Sequence, residues 1–322
     1  MISIVITAKD AEVTLAEAVE SCLGQEEVTL EVVLVDNGSA QGIETFADPR
    51  ARQFSCEGSH VEAHQLGISK ARGELIARMD ADDVSLPGRL AKQQVLLESD
   101  LSLAACTCGV RIGSRGRPIG EGFSKYVGWL NSLESAEDIA RERFIESPVV
   151  HPAAMIRREV LLEVGAYRDV EWAEDYDLWL RVLAAGHRIG MVPEVLFEWF
   201  DSDARLTRSN ERYSHENFLR AKAHYLAKLG GCFEICGAGP IGKRMGRFLQ
   251  AEGAEVRAFY EVNPRRIGEA IAGVPVLDQA VMKKHTGVTL LGAVGLDGAR
   301  DLIRGLAAGV GYVEGRDFFC VA

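Results

Sequence analysis

The stretch from Glu74 to Asp83, ELIARMDADD, passes from a run of apolar residues directly into a group of carboxylates. A short apolar run bounded by polar residues predicts a buried β-strand. Carboxylates this close repel one another, so a fold retains them together when a cation or solvent neutralises their charge. One or two of them suffice to bind Mg²⁺ or Mn²⁺ on a diphosphate. The alternative is an acidic turn in which Asp82 or Asp83 caps a helix that starts near Pro87.

Two earlier segments have the same character. Ile2–Thr7 and Leu30–Val35 are continuous apolar runs that predict buried strands, and the second runs into Asp36, Asn37, Gly38 and Ser39. Strands that are apolar without interruption are typical of a parallel sheet covered on both faces.

Helices are expected between these strands. Thr14 followed by Glu17 predicts a capping box at the start of the first helix, and a further helix is expected around Val61–Ala71. Strand–helix steps with polar residues at the strand ends describe a parallel α/β sheet. Ligands of such sheets bind beyond the carboxyl ends of the strands.

The middle of the chain is less regular. From Gly109 to Ser147 the periodicity weakens, and short strands and helices are expected there. A helix is predicted to begin near Glu174 and to stop at Gly186, and another to span about Ser214–Leu229. Gly230 and Gly231 then break the chain, which predicts a domain boundary.

A second α/β pattern starts after that boundary. Cys232–Cys236 predicts a strand, and the glycine turn GAGPIG at residues 237–242 leads into a helix. This spacing is the dinucleotide fingerprint, and Glu261 supplies the acidic residue that the fingerprint requires. The unit has only about ninety residues, fewer than a full dinucleotide fold needs. A structural or protein-interaction module is therefore favoured over a cofactor site.

The composition is that of a globular protein, with 47% hydrophobic and 26% charged residues. A net charge of −11 argues against nucleic acid or an anionic membrane as the main partner, although a pocket with a divalent cation can still bind phosphate. The seven cysteines match no zinc or redox spacing, which favours reduced core thiols in a soluble, cytoplasmic protein. No signal peptide or transmembrane segment is expected, since no apolar run approaches about 18 residues.

Four motifs in register relate the chain to a known family. The motifs are MISIVITAKDAEVTLAEAVESCLGQ, EVVLVDNGSA, GISKARGELIARMDADD and HPAAMIRREVLLEVGAYRDVEWAEDYDLWLRVLAAG, within about residues 2–212. Together they closely resemble the family 2 glycosyltransferases of GT-A fold. The resemblance implies a nucleotide-sugar-binding domain with a Rossmann-like mixed sheet. The second unit resembles the small Rossmann-like modules appended to sugar-modifying enzymes.

The resemblance implies roles for residues on the donor side. The loop from Thr7 to Asp10 would line the base and ribose of the nucleotide sugar, and Asp36 would contact the base. Asp80 would approach the ribose or the metal. Asp82 would ligate Mg²⁺ or Mn²⁺ on the diphosphate.

On the acceptor side, Glu174 and Asp175 match the family's Glu-Asp pair, which implies Asp175 as general base and Glu174 as a positioning residue. An inverting transfer needs a base that removes the acceptor hydroxyl proton opposite the leaving diphosphate. Two carboxylates at a helix N-terminus are also stabilised by the helix dipole, which is the structural alternative. His151 either faces the acceptor or metal or is a buried histidine beside Pro152.

The sequence departs from the family pattern at several positions. Asp10 stands where asparagine is usual, Asn37 where a second aspartate is usual, and His64-Gln65 where Arg-Asn is frequent. Each replacement is polar, so the expected fold is unaffected, but the identity of the base and sugar stays open.

A further segment, WFDSDARLTRSNERY, resembles a WRDS-x-x-RLSR sequence found in a subset of these enzymes. Phe200 replaces its first arginine. Arg205 and Arg208 are candidates to reach the diphosphate, because guanidinium pairs well with phosphate. The alternative is that they are ordinary surface arginines.

The sequence therefore predicts a GT-A domain at residues 1–212, a bridging helix at 213–229 and a Rossmann-like module at 230–322. The expected activity is inverting transfer of a sugar to an unidentified acceptor hydroxyl in surface glycan biosynthesis, with a glycan, lipid-linked or protein acceptor and no nucleic-acid partner. A homo-oligomer is left open. The rivals are a non-catalytic sugar-nucleotide-binding protein and a sugar-nucleotide oxidoreductase that uses the C-terminal module. The oxidoreductase would need a Tyr-x-x-x-Lys or cysteine site, which the segment after Gly242 lacks.

Overall fold

The structure, a computed structural model, describes residues 1–116, 118–201, 210–296 and 298–322. The chain divides into two compact units. The first comprises Met1–Ile139, Pro148–Val170 and Glu174–Ser209. The second comprises Ala140–Ser147, Glu171–Ala173 and Asn210–Ala322.

The first unit is built on an eight-stranded sheet. Its strands are β1 (Ile2–Ala8), β2 (Leu30–Asp36), β3 (Ala51–Ser55), β4 (Leu75–Asp80), β5 (Val84–Ser85), β6 (Leu103–Gly113), β7 (Met155–Arg157) and β8 (Arg188–Phe200). They are ordered β3-β2-β1-β4-β7-β6-β8-β5. The first four strands of this order are parallel, whereas β7 is antiparallel to both β4 and β6. The mixed sheet confirms the expected fold class.

Helices cover both faces of this sheet. They are α1 (Leu15–Leu23), α2 (His60–Lys70), α3 (Arg89–Ser99), α4 (Glu121–Asn131), α5 (Ala136–Glu142), α6 (Arg158–Glu163) and α7 (Glu174–Ala184). On one face Ile4 of β1 belongs to a buried cluster with Leu15 of α1. On the other face Val5 belongs to a cluster with Val61 of α2. Successive side chains of a strand point to opposite faces of the sheet. Since both faces are covered by helices, the side chains on both must be apolar, which explains the continuous apolar runs.

The capping box expected at Thr14 is wrong. Thr14 already has helical torsion angles, and its hydroxyl donates to a carbonyl of the preceding turn instead of accepting from the helix. Glu17 pairs with the guanidinium of Arg115 at 2.8 Å. A capping box occurs instead at α2, where the side chains of Ser59 and Glu62 each accept from the other's backbone N–H.

The region from Gly109 to Ser147 is more regular than expected. Its first residues complete β6, which pairs with β8 along its length, and Arg111 forms an ion pair with Glu198 across that pair. Helices α4 and α5 follow. The periodicity is interrupted because β6 is buried as far as Val110, and Arg111 is its first exposed residue.

The second unit carries its own sheet of six strands. They are β9 (Cys232–Cys236), β10 (Glu255–Glu261), β11 (Ala270–Ile271), β12 (Val274–Asp278), β13 (Val288–Gly292) and β14 (Phe318–Cys320), in the order β11-β12-β10-β9-β13-β14. The helices are α8 (His215–Ala227), α9 (Pro240–Ala251) and α10 (Ala299–Gly309). All pairings are parallel except that of β11 with β12. This is the small Rossmann-like α/β arrangement that the sequence predicts.

Earlier parts of the chain complete the core of this second unit. The ring of Phe144 packs edge-on against Phe319, with 5.4 Å between centroids. Lys222 is buried, and its ammonium donates to the carbonyls of Ile145 and Val321 at 2.6 and 3.2 Å. Among the helices that the structure describes, none has the length and apolar character needed to cross a bilayer.

Candidate active site

Strand register brings two of the carboxylates predicted to bind the donor to one edge of the first sheet. Ala8 pairs with Asp36 across β1 and β2, and Thr7 pairs with Asp80 across β1 and β4. Asp36 and Asp80 therefore end the strands on either side of β1, where ligands of parallel sheets bind. Thr7 is almost fully buried within β1, and its hydroxyl has no hydrogen-bond partner among the described residues.

The loops beyond these two strands are tied together by hydrogen bonds. The carboxylate of Asp36 accepts from the backbone N–H of Ser39 at 2.9 Å. Asp10 has a left-handed backbone with φ of 49°, and its own N–H donates to the Ser39 hydroxyl at 3.0 Å. Its carboxylate accepts from the N–H of Ala40 at 2.9 Å. Asn and Asp tolerate this backbone conformation better than most residues, which explains why aspartate can occupy a position where asparagine is usual.

The acidic turn after β4 gathers three carboxylates. Ligand atoms of Asp80, Asp82 and Asp83 lie within 4.8 Å of one another. Helix α3 begins after Gly88, and no capping side chain is bonded there, so the helix-cap alternative for the aspartates is not observed. Hard oxygen donors clustered this closely fit a divalent cation such as Mg²⁺ or Mn²⁺.

Two members of the turn are held by hydrogen bonds, one from β4 itself and one from β8. Asp80 accepts from the guanidinium of Arg78 at 2.7 Å. Asp83 is 1% exposed, and its Oδ1 accepts from the backbone N–H of Phe200 at 2.8 Å. This bond fixes the turn to the end of β8. Asp83 is therefore a structural member of the site, a role that its sequence context did not indicate.

Glu174 and Asp175 are the first two residues of α7. Glu174 is buried, and its Oε1 lies 3.7 Å from Nε2 of His60. Burial, followed by the nearby carboxylates of Glu174 and Asp80, raises the pKa of Asp175 to about 7, although the backbone N–H of Tyr176 opposes the shift. A carboxylate with a pKa close to neutral is suited to accept a proton at physiological pH.

A row of three side chains, Arg78, His64 and His60, connects the acidic turn with the carboxylates at the start of α7. Nη2 of Arg78, which bonds Asp80, also lies 3.2 Å from Nε2 of His64. His64 Nε2 lies 2.8 Å from Nε2 of His60, which faces Glu174. Burial, with Arg78 second, holds the pKa of His64 well below its usual value, so this imidazole is neutral. Sequence reasoning missed His60, although its spacing of four residues from His64 on one helix was a usable signal.

His151 lies beside this row and not among the carboxylates of the acidic turn. Its Nε2 is 2.7 Å from the hydroxyl of Tyr167, and its ring packs against Trp179 with 5.7 Å between centroids. Burial lowers the pKa of His151 well below its usual value, which keeps the ring neutral. Arg205 and Arg208 lie outside the described residues.

The glycine turn of the second unit has a packing explanation at two of its three glycines. Gly237 has a left-handed backbone, with φ of 109°. A Cβ at Gly242 would lie 1.9 Å from the carbonyl oxygen of Gly237, so no other residue fits there. Only Gly239 is open, with a side-chain atom of Arg266 3.9 Å from where its Cβ would be. The turn therefore requires glycine for close packing without a ligand.

The acidic residue of the fingerprint is bound by its own chain. The carboxylate of Glu261 accepts from the N–H groups of Val262 and Asn263 at 2.9 and 3.1 Å and pairs with Arg266 at 3.2 Å. These contacts, with the hydrogen bonds to the backbone prominent among them, lower its pKa despite burial. A ribose hydroxyl would have to compete with these bonds, so nothing here favours the oxidoreductase rival.

Relatives of the chain carry glycosyltransferase names. It is 29% identical over 234 residues to "Putative glycosyltransferase EpsE" of Bacillus subtilis, covering 68% of this chain and 79% of that protein. It is 30% identical over 192 residues to "O-antigen biosynthesis glycosyltransferase WbnJ" of Escherichia coli, covering 57% and 72%. The crystal structure of S. aureus TarS 1–349 in complex with UDP-GlcNAc superposes with a TM-score of 0.55 at 13% identity, covering 77% of this chain and 71% of that one. That likeness concerns the fold.

The family assignment rests on the first unit. Residues 3–165 of the 322 match the family model described as glycosyl transferase family 2. The matched segment contains the strand ends that carry Asp36 and Asp80 and the whole acidic turn. With its GT-A sheet and its carboxylate-lined edge, this chain belongs to glycosyl transferase family 2.

Proposed function

We propose that this glycosyltransferase moves a sugar, with inversion at the anomeric carbon, from a nucleotide-diphosphate sugar to an acceptor hydroxyl. One observation carries the proposal. The acidic turn of Asp80, Asp82 and Asp83 lies at the same sheet edge as Asp36. The negative charge of Asp80 also helps to raise the pKa of Asp175 to about 7. A cation-binding group and a neutral-pH base therefore serve one site.

Donor binding is assigned to the loops beyond β1 and β2. Asp36 and the Thr7–Asp10 segment would contact the base and ribose of the nucleotide. The hydrogen bonds that Ser39 makes with Asp36 and Asp10 support this assignment, because they hold the two loops together. Asp82, with Asp80, would hold Mg²⁺ or Mn²⁺. When bound, such an ion supplies charge stabilisation for the departing nucleotide diphosphate.

Asp175 is the proposed general base. Its carboxylate takes the proton of the acceptor hydroxyl as that oxygen forms the new bond to the anomeric carbon, and the bond from that carbon to the diphosphate oxygen breaks. Glu174 is buried beside it with His60 at 3.7 Å, a position suited to orienting the pair. Its negative charge also keeps Asp175 basic.

The acceptor is proposed to be a growing surface glycan or its lipid-linked precursor, with a protein acceptor as the alternative. Support comes from the relative named for O-antigen biosynthesis. All seven cysteines are free thiols, which supports a reducing, cytoplasmic setting.

A panel of nucleotide sugars, each measured with and without Mn²⁺, tests the proposal. We expect the melting temperature to rise with the correct donor only when Mn²⁺ is present, and slow donor hydrolysis to occur under the same condition. NAD(H) serves as the negative control. If no UDP-, GDP-, CDP- or dTDP-sugar raises the melting temperature with Mn²⁺, the proposed function is wrong.

A further inference from the structure

Phe200 forms a platform beside the acidic turn. Its ring packs so closely on Gly113 of β6 that a Cβ there would lie 2.5 Å from a ring carbon. Its backbone N–H is the group that binds Asp83. The ring is therefore fixed from one side by β6 and through its backbone by the turn. This is the position at which the similar WRDS segment has arginine.

A guanidinium from elsewhere in the chain lies over this ring. Arg115, two residues beyond the end of β6, has its Cζ 4.1 Å from the ring centroid of Phe200. Its Nη2 donates to Glu17 at 2.8 Å and to the carbonyl oxygen of Asp82 at 3.4 Å. Stacking on an aromatic face fixes the plane of a guanidinium and directs its N–H groups outward from the ring edge. The guanidinium is thus held within hydrogen-bond reach of the turn assigned to the metal.

We propose that Arg115 binds the diphosphate of the nucleotide-sugar donor, and that it supplies from the end of β6 the guanidinium that Phe200 cannot. This assignment rests on the proposed function. A nucleotide diphosphate brings negative charge to a turn that already holds three carboxylates, so a cationic side chain is needed there in addition to a metal ion. Arginine pairs with phosphate through two parallel hydrogen bonds. The side chain is 32% exposed, and its present partner, Glu17, lies at the surface where a phosphate can displace it.

The test compares Arg115→Met with a matched control on β6, the strand that precedes Arg115. Arg111 lies four residues earlier, pairs with Glu198 at 2.7 Å and is 57% exposed, so Arg111→Met also removes one arginine and one ion pair. Binding of UDP and GDP in the presence of Mn²⁺ is measured by titration calorimetry on the full chain. For the nucleotide that binds the wild type, we expect about ten- to hundredfold weaker binding by Arg115→Met, the usual range for a lost charged hydrogen bond. We expect Arg111→Met to bind within about twofold of the wild type.

Two further variants keep the assignment falsifiable. Arg115→Lys retains the charge over the ring but loses the planar fork, so its affinity should fall between those of the wild type and Arg115→Met. If circular dichroism shows that Arg115→Met folds poorly, Arg115→Lys takes its place in the comparison with the wild type. The double variant Arg115→Met with Phe200→Arg returns a guanidinium to the place where the similar sequences have one, and it should bind more tightly than Arg115→Met alone.

The results separate this proposal from the function on which it rests. A wild-type protein that binds neither nucleotide with Mn²⁺ contradicts the proposed function itself. If the wild type binds one of the nucleotides and Arg115→Met binds it equally tightly, the assignment of Arg115 is wrong and the proposed function still stands. Equal losses in Arg115→Met and Arg111→Met also overturn it, since they indicate a general charge effect.

Discussion

Both units end a parallel strand with acidic side chains, and the two strand ends differ in how their charge is met. At the end of β10 the single carboxylate of Glu261 is bonded by two backbone N–H groups and by Arg266. At the end of β4 three carboxylates crowd within 4.8 Å, and Arg78 pairs with one of them. The charge at the end of β10 is therefore met by groups of the chain itself, whereas the end of β4 is suited to a cation and its ligand. The same α/β topology therefore gives a strand end that its own chain completes in one case and a candidate active site in the other.

The largest expected effect tests the metal assignment. EDTA, or the substitution Asp82→Ala, should abolish sugar transfer and greatly weaken binding of nucleotide diphosphate, because a ligand of the cation is lost. Glu261→Ala is the matched control from the other strand end, and it should leave both quantities at wild-type values. Full activity in EDTA would remove the metal from the mechanism.

The next effect concerns the base. Asp175→Asn keeps the size of the side chain but removes the proton acceptor, so kcat should fall by roughly 10²–10⁴-fold. The affinity for the donor should change little, since the residue serves the acceptor side. Steady-state kinetics with both substrates varied measures the two quantities. Near wild-type turnover would place the base elsewhere, with Glu174 the next candidate.

A smaller effect follows from the pKa of about 7 at Asp175. A base acts in its deprotonated form, so kcat/KM should be constant above pH 7 and fall about tenfold per pH unit below it. The pH profile of kcat/KM shows this directly, because it reports the pKa of the unliganded enzyme. A profile that stays flat down to pH 5 contradicts the assignment.

The glycine turn of the second unit offers a test within one motif. Gly242→Ala places a Cβ 1.9 Å from the carbonyl oxygen of Gly237, so the melting temperature should fall clearly. Gly239→Ala meets only the end of a flexible side chain at 3.9 Å and should be tolerated. Calorimetry of the full chain with NAD(H) should show no binding. Micromolar NAD binding that Gly239→Ala abolishes would mean that the turn is a ligand site after all.

The smallest effect is on stability. The folded pKa of Asp175 lies above its ordinary value of 3.8, so its contribution to stability is present at low pH and is lost as the pH rises toward about 7. Because the asparagine of Asp175→Asn cannot ionise, that variant does not lose this contribution to stability as the pH rises. Its melting temperature relative to that of the wild type should therefore increase from pH 5 to pH 8. The opposite trend would mean that Asp175 is not held in a charge-opposing environment.

The strand ends could be predicted from sequence because they depend on local pattern and a single topological rule. Once Ile2–Thr7 and Glu74–Met79 are recognised as parallel strands, the residues that follow them must share an edge. The acidic turn and its neighbour Asp36 are found in this way. The resemblance to a family then adds Asp175, for which the local pattern alone favours a stabilising carboxylate at a helix N-terminus.

The remaining parts of the site depend on contacts between distant residues. Asp83 is fixed by Phe200, and Arg115 reaches Glu17 from the end of β6. No local pattern reports such pairs, because charged residues near strand ends are common on any surface. The predicted capping box at Thr14 failed for the same reason, since Glu17 has a long-range partner that the local motif ignores.

The contact between Phe144 and Phe319 has a consequence for how the protein is made. The ribosome adds residues at roughly 5–20 per second, so Phe144 leaves it on the order of ten seconds or more before its partner exists. During that interval the Ala140–Ser147 segment has no completed core to join, because Asn210–Ala322, the main part of its unit, is still being synthesised. A contact of such long range also delays folding after release, because the loop between the two rings must close first. Newly made chains should therefore be most susceptible to aggregation, and most dependent on chaperones, until Phe319 has been synthesised.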